Sequence, residues 1–234
     1  MYSCLLFVAC AVLGWTIYRL DPLTLIKNYT NKPIAHVTVE GDFKYVTREY
    51  IETRVADKLT DTFLDLDIVA LKKYLEKSDW IDQVVVARQW PDTLLIKIIE
   101  QQPIARWNDK SFLNFRGEIV NLKHKTELNH LPLLQAEDRY SERVLQQYVL
   151  IAKLLGNYKF APLVLELDNT LSWTLTISHG ITIRLGRDAT LEKVQQLMQV
   201  FQLYFVDNLT NVSVIDMRYK QGFAVGWKTS PPSD

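Results

Sequence analysis

A corner in the middle of the chain limits the fold more than any other stretch. In VVVARQWPDTLLIKIIEQQPIARW, residues 84–107, Val84, Val86 and Arg88 alternate with Val85, Ala87 and Gln89, and this alternation predicts a strand. Pro91 fixes its own φ and offers no N–H, and Asp92 can bond back to the backbone. The strand must therefore stop and turn at Trp90-Pro91-Asp92. Beyond the corner, Leu94, Ile96 and Ile98 share one face of a second strand, and Leu95, Lys97 and Ile99 share the other. Pro103 ends that strand at a boundary.

Upstream, residues 36–40 alternate as a short strand and Gly41-Asp42 make a turn. Thr47 is placed to N-cap a helix through about residue 59, with Tyr50, Ile51, Val55 and Leu59 at helical spacing. Asp67 is placed to cap a second helix whose apolar stripe is Ile68, Leu71, Tyr74 and Leu75. With the hairpin, the order is β-α-α-β-β, a sheet with two helices on one face.

Downstream, residues 112–120 read as a hairpin about Arg116-Gly117, where glycine accepts a positive φ. Ser141 is expected to cap a helix through residue 155, closed by Gly156. Strands are expected over residues 163–167, 173–177 and 181–185, the first two joined near Asp168-Asn169, with His179-Gly180 turning into the third. Residues 190–206 form the clearest amphipathic helix, with Leu191, Val194, Leu197, Met198, Phe201 and Phe205 on one face. A final hairpin joins residues 212–217 to 223–227. The expected fold class is α+β, with an antiparallel-rich sheet in the C-terminal half. Trp90 and Trp107 are expected to pack at the junction between the halves.

The 234 residues, 48% hydrophobic and 23% charged, suit one or two modest domains plus a short extra element. A formal net charge of zero argues against a nucleic-acid partner, which calls for a basic face. Both cysteines, Cys4 and Cys10, lie near the N-terminus, so the rest of the chain has no thiol for a disulfide, a metal or nucleophilic catalysis. Residues 1–20 carry no charge before Arg19, and as a helix they would run about 30 Å, the hydrocarbon thickness of a bilayer. They are expected to span a membrane, in preference to a signal peptide or a lipoprotein signal at Cys10. Residues 21–33 read as a linker.

No chemistry emerges from the motifs. His36, His124, His130 and His179 are scattered without ligand spacing, and no G-x-S-x-G elbow, P-loop or dinucleotide glycine pattern occurs. Asp65 and Asp67 are better explained by helix capping than by acid–base work. No catalytic residue, metal site, cofactor or small-molecule substrate is expected, and the chain is read as a non-enzyme.

The run V-x-V-x-R-x-W-P-x-T-L-x-I-x-x-x-E-x-x-P-x-A-x-W, with Val37-x-Val39-x-Gly41 before it and R-Y-x-x-G-x-A-V-G-W at the end, resembles the FtsQ/DivIB family of bacterial cell-division proteins. The resemblance covers nearly everything after residue 33. It implies a POTRA module over residues 34–102, a C-terminal β domain over 103–228 and a tail over 229–234. It also implies a non-catalytic divisome scaffold that binds FtsB and FtsL and links early and late septum-assembly proteins. The alternative is a POTRA-bearing chaperone or secretion component handling outer-membrane polypeptides.

In the family the last strand and its turn receive FtsB. The pattern matches at Arg218, Tyr219, Gly222, Ala224, Val225, Gly226 and Trp227, and the positions it implies for partner binding are Arg218, Tyr219, Gly222, Phe223, Val225, Gly226 and Trp227, together with Gln221, which replaces a small hydroxyl residue. Residues 168–172 lack the arginine that some members use for a second salt bridge. The resemblance further implies single-pass insertion in the inner membrane, with the C-terminal part periplasmic at the division septum. Charge alone would orient the span the other way, because Arg19, Lys27 and Lys32 all follow it. A longer natural N-terminus, or another determinant of insertion, is therefore expected.

Overall fold

The computed structural model describes residues 32–59, 62–123, 126–188, 190–204, 209–219 and 222–228. The chain divides into two compact units between Gln101 and Gln102.

The first unit runs β1 (His36–Glu40), α1 (Arg48–Ala56), α2 (Ile68–Leu75), β2 (Ile81–Gln89) and β3 (Thr93–Glu100). This is the β-α-α-β-β order read from the sequence. The sheet order is β1-β3-β2, with β1 parallel and β2 antiparallel to β3. Thr47 caps α1 by accepting the Tyr50 N–H, and Asp67 caps α2 by accepting those of Val69 and Ala70. Ile51, Val55, Leu71 and Leu75 bury the helices against Val84, Leu94 and Ile96 of the hairpin. α1 ends at Ala56, one turn before the expected Leu59, which is half-buried.

Trp80 is buried and stacks on Tyr45, ring centroids 4.5 Å apart. Trp90, at the corner where Gln89 pairs with Thr93, is 59% exposed and meets the edge of the Phe63 ring.

The second unit is built on a nine-stranded sheet in the order β12-β11-β10-β9-β8-β7-β4-β5-β6. Its strands are β4 (Pro103–Trp107), β5 (Ser111–Asn114), β6 (Ile119–Val120), β7 (Leu133–Gln135), β8 (Pro162–Leu167), β9 (Trp173–Ile177), β10 (Ile181–Gly186), β11 (Val212–Asp216) and β12 (Ala224–Trp227). Its helices are α3 (Ser141–Gly156) and α4 (Thr190–Tyr204). β7 and β8 are parallel with α3 as their crossover, and β10 and β11 are parallel with α4 as theirs. Val144, Ile151 and Leu155 of α3 and Val194, Leu197 and Phe201 of α4 share one core with Trp173, Leu175, Ile177 and Ile183. Both helices thus cover the same face of the sheet. The alternating positions Thr174, Thr176, Thr182 and Arg184 form the opposite face.

Local details differ from expectation around α3. Ser141 is its first residue and does not cap it, because a short 3-10 turn, Asp138–Tyr140, leads straight in. Gly156 lies inside the helix, and the left-handed residue beyond it is Lys159, φ 61°. Gly117 does adopt a positive φ of 81°, and a Cβ there would meet the Glu142 backbone at 2.8 Å, so only glycine fits. Trp107 is buried, its indole N–H donating to Asp138 at 2.8 Å.

The membrane span expected over residues 1–20 lies outside the described residues, and no helix among those described is long and apolar enough to cross a membrane. A span needs about 20 apolar residues, and the longest described helix, α3, has 16 and is amphipathic. The expected fold is corrected on this point: the described architecture is two α/β units without a membrane helix. The inner-membrane, single-pass, periplasmic placement that rested on the span is withdrawn with it.

Candidate partner-binding edge

β11 lies parallel to β10, and the chain then folds back so that β12 pairs antiparallel with β11, Asp216 opposite Ala224 and Ile215 opposite Val225. β12 is the last strand of the sheet order, so its outer side faces no described strand. Such an edge presents N–H and C=O groups at ladder spacing.

The structure distributes the sequence-predicted site residues unevenly. Tyr219 and Trp227 are 60% and 53% exposed, while Phe223 and Val225 are half-buried against the domain core. Trp227 therefore does not share the inward environment of the two residues with which it alternates. A register shift between Val212 and Val214 separates its pairing from theirs. Gly222 is exposed with φ 106°. Gln221 lies outside the described residues. A cavity of about 330 Å³ opens between Glu192, Lys193 and Gln196 of α4 and Met217, Tyr219 and Phe223 beside the edge.

Arg218 is not a free cation. Its Nε donates to both oxygens of Asp216 at 2.9 and 3.1 Å, its Nη2 reaches Oδ2, and its own N–H bonds Oδ1 at 3.1 Å. Hydrogen bonding from Arg218, with a smaller field from Arg184, holds the Asp216 carboxyl below the usual carboxylate range, and the same contact raises Arg218. Gly186, φ 79°, lies against the Arg218 stem: a Cβ there would stand 3.4 Å from its Cγ. The sequence reading missed Asp216 and Gly186. The signal for Asp216 was present, since residues two apart in an extended segment share a face.

Among the described residues, no group of three or more His, Cys, Asp and Glu could hold a metal ion. A β-α-α-β-β module followed by a sheet that ends in an open edge strand defines a POTRA-bearing protein. The comparisons agree. The family "POTRA domain, FtsQ-type" matches residues 32–101, and "Cell division protein FtsQ/DivIB, C-terminal" matches residues 105–218. The cell division protein FtsQ of Cellvibrio japonicus is 37% identical over 222 residues, 95% of this chain and 68% of that protein. That of Shewanella oneidensis is 32% identical, over 83% of this chain and 74% of its own. That of Escherichia coli is 29% identical, over 95% and 81%.

The chain belongs to the FtsQ/DivIB family of bacterial cell-division proteins. It is a non-catalytic scaffold protein of the divisome. The C-terminal family match stops at Arg218, so the strand Ala224–Trp227 lies beyond it and rests on its own geometry.

Proposed function

We propose that this scaffold takes up FtsB, and through it FtsL, by adding a strand of FtsB to the outer side of β12. The observation that carries the reading is the position of β12 as an edge strand with Tyr219 and Trp227 exposed at either end. Strand addition supplies affinity through main-chain hydrogen bonds, and flanking aromatics supply anchors of about 2 kcal/mol or more each. Phe223 and Val225, turned toward the core, hold the strand in place and do not contact the partner. Arg218 presents a guanidinium already oriented by Asp216, Gly222 and Gly226 belong to the segment that the partner meets, and Gln221 is included on the family resemblance.

The test is binding of an FtsB fragment to the chain carrying Tyr219→Ala or Trp227→Ala, with folding checked by circular dichroism. Each variant is expected to stay folded and to bind at least about thirty-fold more weakly. Parent-like affinity in both folded variants overturns the reading.

A further inference from the structure

The two helices of the first unit carry a cationic cluster that strand addition at β12 does not use. The Arg54 guanidinium stands over two aromatic rings, its Cζ 4.4 Å from the Tyr74 centroid and 5.4 Å from that of Tyr50. Nη1 donates to the Tyr50 hydroxyl at 2.9 Å and Nη2 to the Tyr74 carbonyl at 3.1 Å. Nε is buried with no acceptor among the described residues. The Lys58 ammonium lies 4.9 Å from the centroid of the same Tyr74 ring. Lys73 precedes Tyr74 on α2 and Lys77 follows it in the next turn, both exposed. Among the described residues none of these four cations forms an ion pair, whereas Lys72 next to them pairs with Glu76.

We propose that Arg54, Lys58, Lys73 and Lys77 form a docking face for an acidic segment of a protein partner, with Tyr50 and Tyr74 as its aromatic floor. This face lies in the first unit and does not depend on docking at β12. The dipole of α2 accounts for the Nη2 contact with the Tyr74 carbonyl in the last turn. It does not account for Arg54 and Lys58 sharing one ring with no carboxylate between them, since a ring quadrupole attracts a cation without cancelling its charge. Arg54 keeps one further N–H on each Nη, and that fork matches a carboxylate, while the lysines act as point charges.

The surroundings favour a short acidic segment over other anions. Asp57 is the acid nearest in sequence, one residue before Lys58, and it makes no ion pair among the described residues. Glu52 and Glu49 precede Arg54 by two and five positions, spacings that place them on other sides of α1. A lipid surface calls for apolar side chains that insert beside the cations. On α1 and α2 the exposed large apolar residues are Tyr50 and Val69, and the Tyr50 hydroxyl is held by Arg54. The formal net charge of the chain is zero, so the attraction is confined to this face and does not extend along a long polyanion.

The experiment follows the fluorescence anisotropy of a labelled decaglutamate peptide titrated with the whole chain across a salt series. The parent is expected to bind at low salt and to lose affinity as salt rises. Lys58→Glu, at an exposed position, should weaken binding on the order of ten-fold and flatten the salt dependence. Arg54→Lys keeps the charge but loses the fork, and should weaken binding several-fold, with folding checked by circular dichroism. Lys110→Glu alters an exposed cation of the second unit and should bind like the parent, as should Trp227→Ala at the β12 edge. Absence of binding by the parent at low salt overturns the face. So does parent-like binding by Lys58→Glu, or an equal loss in Lys110→Glu. Phosphatidylglycerol vesicles form a separate arm: binding to them that Lys58→Glu abolishes, with none to the peptide, overturns the protein partner in favour of a lipid.

Discussion

Glu100 and Val46 stand 54 positions apart in the sequence and share a hydrogen bond of 2.7 Å, the Glu100 carboxylate accepting the Val46 N–H. The same carboxylate accepts the N–H groups of Lys44 at 2.9 Å and Tyr45 at 3.1 Å. One acidic side chain at the end of β3 thereby satisfies the backbone of the segment that leads into α1. Glu100→Ala is expected to strand these donors and to destabilise the first unit by about 2 kcal/mol, read as a lower urea midpoint. Glu100→Gln, which retains an acceptor oxygen, should lose less. An unchanged midpoint for Glu100→Ala refutes the role.

Arg88 ties the loop before α2 to the hairpin in a comparable way. Its Nε donates to the Phe63 carbonyl at 2.7 Å, and its Nη2 donates to those of Leu64 and Leu66 at 3.1 and 2.6 Å. Only a planar fork reaches three carbonyls from one strand position, so Arg88→Lys should behave like a loss and not a conservative change. A destabilisation of about 2–3 kcal/mol is expected for Arg88→Met, with Arg88→Lys within about 1 kcal/mol of it. Hydrogen exchange should show faster opening at residues 62–66. Full rescue by lysine contradicts the prediction.

Trp80 and Trp90 are two large aromatics of one module with opposite surroundings. Trp80→Ala removes a buried ring stacked on Tyr45 and should cost about 3–5 kcal/mol. Trp90→Ala removes an exposed ring with one edge contact and should cost about 1 kcal/mol. Thermal unfolding of the two variants separates them, and equal losses would contradict the burial pattern.

Two aspartates give the second unit an acid-sensitive component. Asp168 is held low first by the Ser172 N–H and then by the Thr170 hydroxyl, and Asp216 first by Arg218. Each has a folded pKa depressed below the unfolded value of about 3.9. Their contribution is therefore fully present above about pH 5 and is lost as pH falls through the folded pKa values. Asp168→Asn and Asp216→Asn should lower stability at pH 7 and flatten its decline between about pH 5 and 2, measured as urea midpoints along a pH series. A decline as steep as the parent's in both variants rules out their part in it.

Local chemistry determined much of this protein directly. Alternation along residues 84–99 and the Trp90-Pro91-Asp92 corner set the hairpin, and Thr47 and Asp67 set the helix starts. These rest on period and capping, which act within a few residues. The motif run from Val84 to Trp107 carried the family, and the terminal R-Y-x-x-G-x-A-V-G-W run named the positions proposed for partner binding. The partner of Arg218 within its own chain went unread, although Asp216 is only two residues away.

Tertiary structure decided what depends on distant pairing. The period of a strand says nothing about its neighbour, so the parallel pairs β7-β8 and β10-β11, and the placing of β12 at an edge, could not be read locally. Nor could the difference between Trp80 and Trp90, since burial depends on which end of the hairpin meets the helices and loops. Arg184 is the sharpest case. Along its strand it is one polar residue between two apolar ones. Pairing β10 with β11 places it beside Asp216, and only that register gives its charge a neighbour. Side-chain type is local information, but electric field and exposure are sums over everything the fold brings near.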